Sequence, residues 1–375
     1  MEIGTILRGI SERHLTPEAR VLADVTHLRP FAGSLVTLHH PYGFGSFSSE
    51  DVRTTFQVGD YPILRPVDFD AKLNDIQDRL DPELRAEMTD YLARRAGAGK
   101  RMPTAGLRCH LANLAYNPSD AHDEETRPLE LTIGAADWRW NEAFNNRLLD
   151  EEGYLHVAAA EGWLNKALWP NMGAVPSYLT AHIIVTGPDY LVLTQRRGNG
   201  RIRYFANRWS MSIEENMQGP RIVSRGPNAG YHEGDTDLHA CALRGLHEEL
   251  AIRPDDIDRL NLLGLFAEAP MASCIGIYWV ALHLSWAEFC GRARGAPDLE
   301  TRAVARHGLT TRDLVRLWHM ERYVPVMEKG QCVAIHGPEP TPEGFHPAAK
   351  ARLLAYLIAD EERHARGDLP KLLEP

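Results

Sequence analysis

The stretch from Asp235 to Ile252 constrains this chain most, because its pattern fits an amphipathic helix. Leu243, Leu246 and Leu250 recur at i, i+3 and i+7, which predicts a buried stripe. Asp235, Thr236 or Asp237 can cap the N-terminus, and acidic residues there suit the helix dipole. At about 100° per residue, Glu248 and Glu249 flank Gly245 to one side of that stripe. Arg244 lies one turn before Glu248, within pairing reach. Bare backbone between two carboxylates, beside an arginine, is a surface for a hard divalent cation, which takes oxygen ligands and shares its shell with water and phosphates. In isolation the same Arg-x-x-x-Glu-Glu pattern also describes an ordinary salt-bridged helix face.

What precedes the helix bears on that choice. Tyr178 to Thr186 and Tyr190 to Arg196 are β-rich runs around the turn Gly187-Pro188-Asp189, a hairpin pattern. A basic loop follows, with Arg196, Arg197, Arg201 and Arg203. Next come a short strand, Trp209 to Glu215, and a long loop running into the helix. After the helix, Leu260 to Ala267 and Cys274 to Leu284 read as strands, the second apolar enough to be buried. Residues 286–291 and 309–321 read as helices, with Asp298-Leu299-Glu300 between them. A last helix, 347–364, carries Leu353, Leu354, Leu357 and Ile358 on one side.

Upstream, residues 70–80 and 82–95 show helical spacing, with Pro82 suited to a first turn. Leu107 to Tyr116 and Leu129 to Ile133 read as strands, and 138–149 and 154–169 as helices. His39-His40 lies in a loop without a further metal ligand at useful spacing. Ala96 to Arg101 departs from a phosphate-loop motif, lacking a glycine at Arg94 and a hydroxyl at Arg101. The expected organisation is α/β (α+β): an α+β domain over 1–170, an α/β/α domain with a mixed sheet over 177–335, and a helical extension over 336–375.

With 375 residues the chain can bury more than one core. A formal net charge of -10 argues against general nucleic-acid or anionic-membrane binding. Five scattered cysteines without C-x-x-C spacing read as free thiols in a reducing, cytoplasmic setting. No leader pattern opens the chain, and its longest apolar run is too short to span a bilayer.

The order of hairpin, basic loop, acidic strand end, helix and buried strands resembles the Nudix superfamily, hydrolases of nucleoside diphosphates linked to another moiety. Their signature runs G-x5-E-x7-R-E-U-x-E-E-x-G-U, with U aliphatic. Arg244, Leu246, Glu248, Glu249 and Ile252 fall on its positions, and Gly230 is in register with its first glycine. Thr236 stands at the early Glu, Gly245 at the Glu after the arginine and Ala251 at the late glycine. A one-residue slip places Gly234-Asp235 where the family often has Gly-Glu.

The resemblance implies a Nudix-like sandwich and a nucleotide-derived substrate, a nucleotide sugar or dinucleotide. It implies Mg²⁺ or Mn²⁺ held by Glu248 and Glu249, with Arg244 orienting Glu248. Asp235, Glu214, Glu215, Asp298 and Glu300 are candidates to replace the carboxylate absent at Gly245. Arg196 and Arg197 are candidate phosphate binders, since guanidinium matches phosphate bidentately. A module that binds a nucleotide without cleaving it is the alternative expectation, motivated by the missing carboxylates. A homodimer through the apolar side of the last helix is a further expectation.

Overall fold

The structure is a computed structural model. It describes residues 36–38; 47–143 apart from 58–59, 61–65, 100–101, 103–106, 117–128 and 142; and 177–357 apart from 198–205, 220, 224–229, 269–272, 328–329, 337–338, 347, 351 and 354. The loop at His39-His40, Arg201 and Arg203, most of the expected helices over 138–169, and the end of the last helix lie outside the described residues.

In chain order the strands are β1 (Val36–Leu38), β2 (Val52–Phe56), β3 (Leu107–Tyr116), β4 (Leu129–Asp137), β5 (Tyr178–Thr186), β6 (Tyr190–Arg196), β7 (Trp209–Ser210), β8 (Ile213–Asn216), β9 (Arg221–Val223), β10 (Gly230–His232), β11 (Ile257–Glu268), β12 (Ser273–Leu282), β13 (Thr301–Gly308), β14 (Arg322–Tyr323), β15 (Cys332–Ala334) and β16 (Glu343–Gly344). The helices are α1 (Pro66–Arg79), α2 (Pro82–Gly97), α3 (Leu238–Leu250), α4 (Trp286–Ala293) and α5 (Thr311–His319).

A nine-stranded sheet runs β1-β11-β12-β5-β6-β13-β15, with β7 on β6 and β8 on β5. It is mixed: β12 and β5 are parallel, whereas β11–β12, β6–β13 and β13–β15 are antiparallel. The strand β13 was not anticipated. Its apolar positions are largely alanines in Thr-Arg-Ala-Val-Ala-Arg-His-Gly, a weak periodic pattern, and its place between β6 and β15 supplies what propensity does not. The expected strand at 209–215 is divided into β7 and β8, and the loop before α3 contains the small ladder β9–β10.

Both faces of the sheet are covered. On one, Leu179, Ala181, Ile183 and Val185 of β5 join Leu238, Ala242, Leu246 and Leu250 of α3 and Phe289 of α4. On the other, Ile184, Leu193, Ile277 and Trp279 join Leu314 and Leu317 of α5 with Leu353, Tyr356 and Leu357. The alternation of neighbouring residues between clusters is the two-residue period of a strand. The result is an α/β/α sandwich, each fully buried aliphatic side chain adding about 1.5–3 kcal/mol. Residues 349–350, 352–353 and 355–357 are helical, and their apolar side is spent against this chain's own sheet.

The N-terminal part is not set apart from this core. The strands β2, β4 and β3 form a sheet whose Cys109, Leu111, Leu131 and Ile133 belong to the same cluster as α3. The strand β1 extends the main sheet by pairing with β11. Trp138 packs edge-on against Tyr178, with ring centroids 5.4 Å apart.

Asp237 caps α3, accepting from Ala240 N–H. The helix ends at Ala251, whose φ of 53° is left-handed, with Ile252 N–H reaching the Leu246 carbonyl at 3.1 Å. Its buried side differs from the expected stripe: Leu243 is half-buried, while Leu238, Cys241, Ala242, Gly245, Leu246, Glu249 and Leu250 face inward.

Candidate functional site

The site begins where the hairpin comes apart. The β5 and β6 strands pair at Thr186 and Leu191, then diverge. β8 fills in along β5, from Ile183–Ile213 to Thr180–Asn216, and β7 along β6. Ser212 spans the split: its hydroxyl accepts from Val185 N–H and donates to the Val192 carbonyl. A cleft of about 380 Å³, counted out to solvent, opens there, lined by Arg196, Arg208, Glu214, Glu249, Glu300 and His346 among others.

Consecutive residues of β8 serve opposite faces of the sheet. Glu215 meets α3. A Cβ built on Gly245 would lie 2.7 Å from the Glu215 Cβ and 3.1 Å from its Cγ. The carboxylate missing from α3 therefore has a physical counterpart: the stem of Glu215 crosses the bare helix position. Arg244 gathers the surrounding acids. It donates from Nε to Asp235 at 2.9 Å and from its terminal nitrogens to Asp235, Glu248 and the Asn216 carbonyl at 2.9, 3.1 and 2.8 Å. It also pairs with Glu215 at 2.9 Å. Burial opposes the Arg244 charge, but the Asp235 hydrogen bonds and the charges of Glu215 and Asp235 outweigh it and raise the pKa.

Asp235, a candidate metal ligand from sequence, accepts from Arg244 with both of its oxygens. Its carboxylate also accepts from Gln218 N–H at 2.8 Å. Glu248 is partly exposed, whereas Glu249 is buried and accepts from the Thr301 hydroxyl at 3.0 Å. Burial pushes Glu249 well above the ordinary carboxyl range, and the charges of Glu215 and Glu300 push the same way. Burial pushes Glu215 up to about 7 against the pull of Arg244.

Arg196 spans the cleft between Glu300 at 3.2 Å and Glu214 at 3.6 Å. The backbone N–H of Arg197 donates to the Glu300 carbonyl at 2.7 Å. Asp298 N–H is tied to the Glu248 carbonyl at 2.8 Å, which docks this acidic turn on the end of α3.

Glu214 faces the other way. It pairs with Arg352 and lies 3.5 Å from His346 Nδ1. Burial would raise its pKa, and the facing His346, Arg352, His182 and Arg196 outweigh that and hold it well below the ordinary range. Burial lowers His346 to about 4 and holds His182 well below the ordinary range, so both rings are neutral near pH 7 and the two guanidinium groups carry the effect. His346, Arg352, Arg208 and Thr301 were not anticipated. Arg208 lies just before β7, while Thr301 on β13 and His346 and Arg352 on the C-terminal segment come from approaches about which the hairpin-to-helix pattern carries no information.

Among the described residues, no three His, Cys, Asp or Glu side chains stand in metal-holding geometry. The chemistry of the donors still suits a hard cation: Glu215, Glu248 and Glu249 are all oxygen ligands, and Mg²⁺ commonly takes one or two carboxylates and completes its shell with water and substrate phosphates. Burial, more than the repulsion of neighbouring carboxylates, raises Glu215 and Glu249, and a bound cation would oppose both effects.

No family model and no curated protein matches the chain. Among solved structures, the protein DR0079 from Deinococcus radiodurans is similar at 16% identity and a TM-score of 0.20, over 29% of this chain and 57% of that one. A mutT/nudix family protein from Listeria innocua is similar at 13% identity and a TM-score of 0.31, over 51% of this chain and 99% of that one. At those scores neither likeness says what this chain binds or cleaves. No described helix is long and apolar enough to cross a membrane.

Proposed function

We propose that this chain hydrolyses the phosphoanhydride link of a nucleoside diphosphate derivative, of the nucleotide-sugar or dinucleotide class, with Mg²⁺ or Mn²⁺. The observation that carries the reading is the approach of Glu215 from β8 onto the bare Gly245 position, next to Glu248 and Glu249 and beside an arginine-lined cleft. Glu248 and Glu249 would hold the metal, with water and substrate phosphates completing its shell and Glu215 nearby on β8. A bound divalent ion supplies charge neutralisation at the phosphate oxygens. Arg244 fixes the rotamers of Glu215 and Glu248 by pairing with both. Arg196, paired with Glu300 and Glu214, and the exposed Arg208 both line the cleft, where a guanidinium can meet phosphate oxygens.

The test is incubation of the full chain with Mg²⁺ or Mn²⁺ and a panel of nucleotide sugars and dinucleotides, with products followed by ³¹P NMR. Turnover is expected, falling by about a hundredfold or more in Glu248→Gln/Glu249→Gln. No turnover above that double variant on any compound sinks the proposal.

A second reading, binding without cleavage, draws on the absence of a three-ligand group among the described residues and on the engagement of Arg244 by three carboxylates. Saturable binding of intact nucleotide in the presence of EDTA, without products, would favour it.

A further inference from the structure

The most deeply buried charged side chain near the cleft belongs to neither the hairpin nor α3. Arg352, on the helical segment that follows β16, is fully buried. Its Nε donates to His182 Nδ1 at 3.0 Å, one terminal nitrogen donates to the Ser210 hydroxyl at 2.8 Å and the Met211 carbonyl at 3.3 Å, and the other pairs with Glu214. These partners lie on β5, on β7, in the break between β7 and β8, and on β8. His182 and Glu214 are also register partners across the β5–β8 ladder. One guanidinium thus fastens β5 to the two short strands that fill the opening between β5 and β6.

The geometry points to Arg352 as a positioning residue for the site, acting through β8 from the opposite face of the sheet. Glu214 and Glu215 are neighbours on a strand, so their side chains leave on opposite faces. Fixing Glu214 against Arg352 sets the rotation and register of β8, and so places the stem of Glu215 over Gly245. A slip by one residue would exchange the two acids between faces. Glu214 also passes the constraint onward: its second oxygen lies 3.6 Å from Arg196, which holds Glu300 at 3.2 Å. His346 completes the bracket, its N–H bonded to the Trp209 carbonyl at 2.7 Å. The C-terminal segment is thereby a wall of the site. This rests on the reading of Glu215 as a site carboxylate.

The test uses the full-length chain and the backbone amide resonances of Glu215 and Gly245. Arg352→Gln is expected to shift both, although neither touches Arg352, and Arg352→Lys, which restores the charge, to recover part of the shift. Leu353→Ala, which removes packing from the same segment, should leave both in place. Unmoved resonances in a folded Arg352→Gln protein would overturn the assignment. If that variant does not fold, Glu214→Gln cuts the same link while keeping its shape, and it must shift the same two amides or the proposal fails. A Mn²⁺ titration of the wild-type chain, read by electron paramagnetic resonance, reports separately on the metal: absence of binding counts against the proposed hydrolase and leaves the amide result standing. Where Mn²⁺ binds, Arg352→Gln is expected to weaken it by about tenfold.

Discussion

At the scale of single residues, the site is governed by how few cations serve its carboxylates. Glu249 is buried with one hydroxyl partner at 3.0 Å, and Glu215 shares Arg244 with Asp235 and Glu248. Burial, against the pull of Arg244, makes the folded protein hold a proton on Glu215 more tightly than the unfolded chain does, at about 7 against an ordinary 4.5. The sign follows from linkage: this group's contribution is fully present below the unfolded value and is lost as pH rises through the folded one. Glu215→Gln cannot titrate, so its stability relative to wild type should grow between about pH 5 and 8, by an amount on the order of 3 kcal/mol. Urea denaturation of both proteins across that range measures it. A constant difference would show that Glu215 titrates as an ordinary carboxylate.

At the scale of elements, the contact between α3 and β8 is set by the missing side chain at Gly245. Two effects of Gly245→Ala oppose each other. Alanine favours the helix by about 1 kcal/mol over glycine. The added methyl group would meet the Glu215 Cβ at 2.7 Å, and that atom is fixed to the strand backbone, so β8 itself has to move. Overpacking of this kind costs about 1–3 kcal/mol, and the four-point hold of Arg352 on the strands opposes relaxation. The clash wins: Gly245→Ala should lower the unfolding free energy by up to about 2 kcal/mol, measured by urea denaturation, and should displace Glu215. A stabilised variant would place Glu215 elsewhere. Ala251 presents the opposite case, a left-handed residue at the end of α3 where glycine would be relaxed.

For the whole molecule, the sandwich depends on chain that lies beyond the last named strand. Ala348, Ala349, Leu353, Tyr356 and Leu357 are buried with Ile184, Leu193 and Trp279 of the sheet. Ending the chain after residue 340 removes them and takes from Glu214 its buried partner Arg352, leaving only Arg196 at 3.6 Å. Losing a partner from a buried ion pair costs about 3–5 kcal/mol, and each lost leucine about 1.5–3 kcal/mol, which together rival the 5–15 kcal/mol that holds a typical domain folded. The truncated protein is expected to keep far-ultraviolet circular dichroism, lose its near-ultraviolet signal and bind an apolar dye. A cooperative transition near that of the full chain would contradict this role.

The sequence by itself determined the local elements whose patterns are strong: the hairpin around Gly187-Pro188-Asp189, the capped α3 and the buried β12 all stand within a few residues of their predicted places. It also brought Arg244, Glu248 and Glu249 to one helix, because their spacing is a property of a single helical turn. It left open which carboxylate would meet Gly245, since Asp235, Glu214, Glu215, Asp298 and Glu300 were all candidates and no local spacing ties any of them to it. Only the tertiary structure decided for Glu215, through the splitting of β5 from β6 and the entry of β8 beside it. Likewise it brought Thr301, His346 and Arg352 to the cleft, from strands and helices whose neighbours are chosen by packing and not by local periodicity. The α3 turn carries acids because its own residues say so. The arginine that braces the strand opposite comes from more than a hundred positions away, where only the closed core brings it near.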